Sequence, residues 1–342
     1  MKKSVLVIIA LLLQSVFVFC QSVQKDFPVL KGPYLGQKTP GMTPELFAPG
    51  IISTGANEMN ICFSPDGDAV FYFITGPSFR PRIILTSFIE NSVWTKPMEL
   101  PFFDIDRTDS YPFMTPDGKK LFFNSSRPYE GMDNSKGPRH HEIWFAEKDN
   151  TSWGRPQKID FGGKYKGLGT FPSVASNGNI YFNQSFDRAG SDIYYSKYEN
   201  GNYSMPQRLS DEVNGDAKAR SFHPYIAPDE SYLLFDSIRE EDSFGQQDIY
   251  ISFRDKDGKW SKAQNIGKTI NSPNSELRPF VTFDGKYLFF ISGRVNIPVL
   301  SKNQMNNYDV DNLINSPGNG LQDVYWVDAK IIDELKKKVN NQ

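Results

Sequence analysis

The sequence predicts an all-β fold, a five-bladed β-propeller with four antiparallel strands in each blade. The main observation is a repeated hairpin, in which an alternating strand enters a Pro-Asp-Gly or Asn-Gly turn and an aromatic-rich strand leaves it. The hairpin occurs in NICFSPDGDAVFYF, YPFMTPDGKKLFFN, FPSVASNGNIYFNQ, HPYIAPDESYLLFD and RPFVTFDGKYLFFI. These segments recur at steps of 51 to 60 residues, which fits one four-stranded blade. The composition agrees, because 27 Phe, 16 Tyr, 26 Gly and 23 Pro suit many short strands joined by tight turns.

Two further strands follow each of the first four hairpins, and one follows the fifth. The third strand reads RIILTS, EIWFAE, DIYYSK, DIYISF and DVYWVD, and the fourth reads WTKPMEL, WGRPQKI, YSMPQRL and WSKAQNI. The fourth strand has only four copies after a hairpin, so the last blade lacks one. Near the N-terminus, LFAPGII begins at Leu46 and repeats the spacing of WTKPMEL, which begins at Trp94. We therefore predict that this N-terminal strand completes the last blade and closes the ring without an open sheet edge.

The N-terminus, MKKSVLVIIALLLQSVFVFCQS, has two lysines before an apolar run, which is the layout of a secretory signal peptide. We predict cleavage after Cys20 and a periplasmic or secreted protein. A lipoprotein acylated at Cys20 is the alternative, which the bulky Phe19 disfavours. The predicted divisions are a signal peptide over 1–20, an N-terminal extension over 21–42, a single propeller domain over 43–328 and a tail helix over 329–342. The tail helix is predicted from the spacing of Ile331, Leu335 and Val339.

Charge and cysteine content exclude several classes of protein. A formal net charge of −2 does not suit a nucleic-acid-binding or membrane-surface protein, and no second apolar span follows the first. After cleavage Cys62 has no partner for a disulfide, and its apolar neighbours predict a buried, inert thiol. Adjacent His140 and His141 on a strand would point to opposite sides, which disfavours a metal site. Without a phosphate-binding loop or a Ser-His-Asp order, we assign no cofactor, no metal and no catalytic residue, and we expect a monomer.

The Pro-Asp-Gly turns, the LFF strands after them and the DIY third strands resemble the TolB-like family of Pro-Asp repeats. These repeats are relatives of WD40-like propellers and occur in exported bacterial proteins. The resemblance extends over about residues 43 to 328 and implies a propeller in the cell envelope. It says little about function, because TolB itself has a further N-terminal domain and a different number of blades.

Arginines and acids recur at fixed places in the blades. The arginines Arg127, Arg239, Arg294 and Arg188 follow second strands, and the acids that open the respective third strands are Glu142, Asp248, Asp323 and Asp192. We interpret these pairs as structural ion pairs. The aspartates of the hairpin turns, Asp66, Asp117 and Asp284, are expected to stabilise the turns. In the first blade Arg80 and Arg82 have no corresponding acid, so they either meet an anion or lie in a solvated loop.

The start of each inner strand carries polar residues that differ between blades, where a purely structural repeat would use one residue again. The candidate ligand-binding residues at this channel mouth are Glu58, Asn60, Asp109, Tyr111, His223, Glu276 and Arg278. Positions two apart in a strand share a face, so we expect both sets to emerge on one side. Tyr111 would provide a stacking surface, and the charged groups would fix the orientation of a ligand. The long loops Arg127–His141 and Gly293–Gln322 belong to the same, loop-rich face.

Two functions fit these features. The first is a non-catalytic binding or scaffold protein of the cell envelope, which recognises a glycan, a peptide or a protein on its loop-rich face. The alternative is a glycan-active hydrolase or lyase that uses the channel-mouth carboxylates, since five-bladed glycosidases place carboxylates near the channel. We favour the first because the sequence has no catalytic signature of its own.

Overall fold

A computed structural model describes residues 27–76, 78–129, 141–149, 152–162, 169–186, 190–295 and 307–340. Lys31–Gln342 group into one compact unit, and the following description concerns that unit. The predicted signal peptide, the loop residues Arg139 and His140, and Arg188 lie outside the described residues.

Five four-stranded antiparallel sheets form the blades, as the repeats predict. From the inner strand outward, the first blade contains Asn57–Phe63, Ala69–Thr75, Arg82–Glu90 and Met98–Glu99; the second Asp109–Met114, Lys120–Ser125, Glu142–Glu147 and Gln157–Lys158; the third Gly169–Val174, Ile180–Phe186, Gly190–Ser196 and Gln207–Arg208; the fourth Arg220–Ile226, Tyr232–Ile238, Asp248–Phe253 and Gln264–Asn265; and the fifth Glu276–Val281, Tyr287–Ser292, Asp323–Asp328 and Glu45–Leu46. Shorter strands beside these sheets are Val93–Trp94, Tyr198–Glu199 and Asn202–Tyr203. The helical segments are the 3-10 turn Tyr34–Gly36 and the helices Asp211–Asn214, Asn307–Ile314 and Lys330–Asn340.

The hairpin turns form as their sequence predicts. In the second blade the Thr115 N–H donates to the Lys120 carbonyl at 2.9 Å, and Gly118 adopts a φ of 71°, which favours glycine. The Asp117 carboxylate accepts the Thr115 hydroxyl at 2.6 Å and the Lys119 N–H at 3.0 Å. This aspartate therefore stabilises its own turn, on the face opposite the loop-rich one.

Aromatic side chains of the inner strands fill the centre of the ring. The Phe113 ring centroid lies 6.4 Å from that of Tyr225 and 6.3 Å from that of Phe280, and these residues come from the second, fourth and fifth blades. Phe63 of the first blade lies 6.4 Å from Phe280. The four residues are at most 6% exposed. A ligand would therefore meet the mouth of the ring, because packed rings occupy its interior among the described residues.

In the second, third and fourth blades, a buried apolar residue that follows the outer strand holds it in place. The N–H groups of Ile159, Leu209 and Ile266 donate to third-strand carbonyls at 3.0 to 3.1 Å, and these side chains are at most 4% exposed. The outer strands themselves are only two residues long, so this anchor supplies much of their attachment.

The N-terminal strand closes the fifth blade, as predicted. Glu45–Leu46 pairs antiparallel with Asp323–Asp328, and the Phe47 N–H donates to the Val324 carbonyl at 2.8 Å. The match of Leu46 with Trp94 is wrong by five residues, because Phe47 and not Ile52 takes the buried anchor position. In the sequence, either Phe47 or Ile52 could be the buried residue that follows the closing strand. Only the pairing of that strand with the third strand shows which of the two it is.

The C-terminal helix also forms as predicted, over Lys330–Asn340. Its Ile331, Ile332 and Leu335 side chains are at most 8% exposed, so the apolar side of the helix is packed. Within the described ranges, no helix is long and apolar enough to cross a membrane.

Candidate functional site

A bulge near the start of the inner strands creates the candidate site. In four blades the bulge residue has a left-handed backbone, and these residues are Tyr111 (φ 57°), Phe171 (φ 58°), His223 (φ 46°) and Arg278 (φ 55°). A bulky residue rarely adopts this conformation, which costs about 1 to 3 kcal/mol per residue. A proline follows each of the four, and it interrupts the ladder because it has no N–H to donate. The first blade has Ile61 after Asn60 instead, and Asn60 has no positive φ.

Polar side chains of the second strands hold the bulge of the next blade. The Asn124 side-chain oxygen accepts the Phe171 N–H at 2.8 Å. The Asp236 carboxylate accepts the Arg278 N–H, also at 2.8 Å. Both acceptors are at most 1% exposed, so water does not compete for these hydrogen bonds. These buried hydrogen bonds therefore hold the bulges at Phe171 and Arg278 in place.

The bulges bring side chains from successive blades together at the loop-rich mouth. The Phe171 ring centroid lies 4.1 Å from that of Tyr111 and 4.0 Å from that of His223. The guanidinium carbon of Arg278 lies 5.3 Å from the Tyr111 ring centroid. Asn60 of the first blade donates to the carbonyl of the proline after Tyr111 at 3.0 Å. These five residues, which we call the mouth cluster, include four predicted site residues and add Phe171, which was not among them.

Arg278 is a buried cation without a carboxylate partner among the described residues. It is 7% exposed, and its Nε and Nη1 atoms are buried with no hydrogen-bond partner. A cation–π contact with the Tyr111 ring stabilises the buried charge by about 0.5 to 2 kcal/mol. This is less than the free energy that it costs to bury an unpaired charged group. A second cation approaches the same ring, since the Arg82 guanidinium carbon lies 6.0 Å from its centroid. Arg82 donates to the Phe79 carbonyl at 3.2 Å and forms no ion pair with a described residue.

His223 is oriented by Asp236. Its Nδ1 lies 2.9 Å from both carboxylate oxygens, and the Gln247 amide also donates to that carboxylate. Burial lowers the pKa of His223, and the charge of Arg278 acts in the same direction while Asp236 opposes both. The imidazole is therefore neutral at pH 7, with Nδ1–H donating to Asp236 and the lone pair on Nε2. No described residue forms a hydrogen bond with Nε2.

The three predicted carboxylates do not join the mouth cluster. Glu58 and Glu276 are 0% exposed and Asp109 is 3% exposed. Asp109 pairs with Arg127 at 2.5 Å, and Glu276 pairs with Arg294 at 3.1 Å. The expectation that positions two apart share a face is wrong here, because each bulge shifts the register between the two positions. These carboxylates make structural interactions, so we remove them from the candidate site.

The arginine ion pairs also differ from the predicted ones. The arginines of the second and fifth blades bind the acid at the start of the inner strand, and not Glu142 and Asp323 of the third strands. In the fourth blade Ser221 stands in place of that acid. Arg239 there donates to the Ser237 hydroxyl and to a main-chain carbonyl at 3.1 and 2.6 Å, and it does not pair with Asp248.

Two buried acids in the first and fifth blades form no ion pair with an arginine in the part of the chain that the structure describes. Gly76 takes the place in the first blade that Arg127 has in the second, by strand register. Glu58 accepts the N–H and the hydroxyl of Thr54 at 3.2 and 2.7 Å, and one Asp323 oxygen has no partner. Burial raises the pKa of Glu58 to about 7, with the charge of Asp323 adding to the shift. Burial likewise raises the pKa of Asp323 to about 6.

Cys62 is fully buried, as predicted, and burial raises its pKa to about 12. The thiol is therefore inert at neutral pH. In the part of the chain that the structure describes, no group of three or more His, Cys, Asp or Glu side chains could hold a metal ion.

No protein-family profile matches this sequence, and no curated protein matches it. Several solved structures are similar to it. A protein assigned as TolB from Agrobacterium tumefaciens is 16% identical, with a TM-score of 0.45 over 80% of this chain and 90% of that chain. A protein of unknown function from Dyadobacter fermentans is 11% identical, with a TM-score of 0.43 over 74% of this chain and 78% of that one. A thermostable family-43 glycoside hydrolase is 15% identical, with a TM-score of 0.42 over 81% and 90% of the two chains. The similarities concern the fold, and none says what this chain binds.

Proposed function

We propose that this chain is a non-catalytic binding protein of the cell envelope, and that a glycan, peptide or protein ligand contacts the mouth cluster. The observation that carries the proposal is the convergence of five different side chains, one from each blade, at the loop-rich mouth. Strained backbone supports four of them, and such strain accumulates where a side chain must be held in one place. The location in the envelope rests on the predicted signal peptide.

The chemistry of the cluster suits recognition of a polar ligand. Aromatic rings supply apolar contact, while the amide of Asn60, the imidazole of His223 and the guanidinium of Arg278 fix orientation. The hydrolase alternative that uses channel-mouth carboxylates loses its support, because those carboxylates are buried and hydrogen-bonded within the ring. A glycosidase needs two accessible carboxyl groups on either side of the scissile bond.

The test is a screen of glycan and peptide arrays with the chain lacking its predicted signal peptide. The glycans or peptides that bind the chain on the arrays are the retained probes. We expect Tyr111→Leu and Arg82→Gln to weaken their binding by at least about ten-fold, about 1.4 kcal/mol. Lys119→Gln is the matched control, because this exposed lysine lies in a turn on the opposite face. Probes that bind the mouth variants as tightly as the unchanged chain would place recognition elsewhere, and an absence of any retained probe would contradict a binding role.

One observation favours a second candidate, proton abstraction beside a carboxylate. His223 is neutral, its Nδ1 is held by Asp236, and its Nε2 has no partner among the described residues. In such a β-elimination Nε2 would take the proton, the C–H electrons would form a C=C bond, the β C–O bond would break, and water would protonate the leaving oxygen. Incubation with uronate-containing glycans would then give an unsaturated product that absorbs ultraviolet light, and His223→Gln would abolish it. A chain that gives no such product has no lyase activity on these substrates.

A further inference from the structure

We infer that Arg278 of the mouth cluster and the adjacent Arg82 bind an oxyanion, a carboxylate or phosphate group of the ligand. The inference rests on the proposed function and adds the chemistry of the group that is recognised.

The main evidence is the unpaired guanidinium of Arg278. Arg127 and Arg294 each have a carboxylate partner, whereas Arg278 is 93% buried by residue area, with Nε and Nη1 unbonded. A buried charge is costly unless it is paired and hydrogen-bonded. The planar guanidinium offers two parallel N–H groups, which match the two oxygens of a carboxylate or phosphate. An oxyanion would therefore supply the ion-pair and hydrogen-bond partner that the Arg278 guanidinium lacks among the described residues.

The acids near Arg278 do not fill this role. Asp236 accepts hydrogen bonds from His223 Nδ1, from the Gln247 amide and from the main-chain N–H of Arg278, and it forms no ion pair with the guanidinium. Glu276 is bound to Arg294, so its charge is already neutralised. The positive charge of Arg278 therefore remains available at the mouth.

Arg82 supplies a second positive charge at the same place. Arg82 and Arg278 reach the Tyr111 ring from strands of the first and fifth blades, and Tyr111 provides a flat surface beside the anion. The fourth blade gives a contrast, because Arg239 also forms no ion pair with any acid that the structure describes. It lines a cavity of about 410 Å³, but Asp216, Glu240 and Glu241 line the same cavity and disfavour an anion there.

The experiment follows the Nε–H signal of Arg278 by nitrogen–proton NMR. The signal is identified by its loss in Arg278→Lys, which keeps the positive charge and removes the two parallel N–H groups of the guanidinium. We expect sodium acetate or sodium phosphate, added against sodium chloride at constant ionic strength, to shift this signal saturably. The comparison of acetate with phosphate distinguishes a carboxylate from a phosphate ligand, and glucuronate against glucose tests a sugar-borne carboxylate. Arg239 Nε–H serves as an internal control that should not move.

Isothermal titration with the same anions measures binding in variants that lack the Arg278 signal. By that measurement Arg278→Gln should abolish saturable binding, and Arg82→Gln should weaken it by several-fold. The exposed Arg220→Gln in the neighbouring blade is the matched control and should leave binding unchanged. An Arg278 signal that does not respond to any of the anions overturns the inference, as does equal binding by Arg278→Gln in a variant whose thermal unfolding remains cooperative.

The outcome separates this inference from the proposed function. If array ligands depend on Tyr111 but are neutral and insensitive to Arg278→Gln, the mouth recognises ligands without an anion, and only the inference fails. If the arrays retain nothing while the Arg278 signal responds to anions, the anion site exists and the broader binding role fails.

Discussion

Phe47→Ala tests the closure of the ring by the N-terminal strand. Phe47 is 0% exposed, and its ring lies 5.1 Å from Phe289, 5.1 Å from Trp326 and 5.9 Å from Phe63 between centroids. Removing a fully buried phenyl ring from such a cluster costs about 3 to 5 kcal/mol. With an unfolding entropy of about 0.6 kcal/mol/K for a unit of roughly 300 residues, this loss corresponds to about 5 to 8 °C in Tm.

Differential scanning calorimetry and urea unfolding of the same preparation measure this loss. Phe244→Ala is the matched control, because Phe244 is 48% exposed and should change the free energy of unfolding by no more than about 0.5 kcal/mol. Deletion of Thr43 to Ser53 should lower stability further and promote association, since the third strand of the fifth blade would become an open edge. If Phe47→Ala unfolds at the same temperature as the unchanged chain, the N-terminal strand does not hold the ring closed, and the reasoning from its burial is refuted.

Two further predictions concern the buried acids. Either Arg294→Ala or Glu276→Ala should lower the free energy of unfolding by about 3 to 5 kcal/mol. The double variant should lose little more, because each change disrupts the same buried pair. Additive losses in the double-mutant cycle would contradict the pairing. Glu58 should make stability depend on pH, because its folded-state pKa of about 7 lies above its ordinary value of 4.5, so the folded state binds the proton more tightly. Its contribution is full below pH 4.5 and is lost as the pH rises through 7, by about 3 kcal/mol at about 1.4 kcal/mol per pKa unit. Urea midpoints between about pH 5 and 8 measure this loss, and Glu58→Gln should flatten it. An unchanged pH profile in that variant would assign the effect to other groups.

Local signals determined the repeat architecture. A Pro-Asp-Gly turn fixes a hairpin through the conformation of two or three residues, and alternation fixes which side of a strand faces the core. Both can be read without knowing what lies beside the strand. For this reason the five blades, the closing strand and the C-terminal helix were predicted from the sequence and confirmed.

Ion-pair partners and strand register within the fifth blade were decided by tertiary structure alone. The sequence pattern paired Arg294 with Asp323, the acid that opens the third strand. In the folded blade Arg294 pairs instead with Glu276, at the start of the inner strand. Likewise, two apolar registers fit the closing strand until Phe47 is placed beside Val324. Both pairings depend on how the strands align in the folded sheet, so spacing along the chain does not resolve them.

The mouth cluster depends both on a local sequence signal and on the tertiary structure. Its sequence signal was present, because Tyr111, Phe171, His223 and Arg278 each precede a proline that interrupts the ladder. The chain order shows where each strand bulges, but it does not show that the four side chains meet, or that Phe171 lies between Tyr111 and His223 in contact with both. That convergence requires the closed ring, which brings the second to fifth blades around one axis and leaves Arg278 without a carboxylate partner among the described residues. The sequence by itself determined the blades and their turns, and only the tertiary structure decided which side chains share the mouth, because that depends on the register between blades.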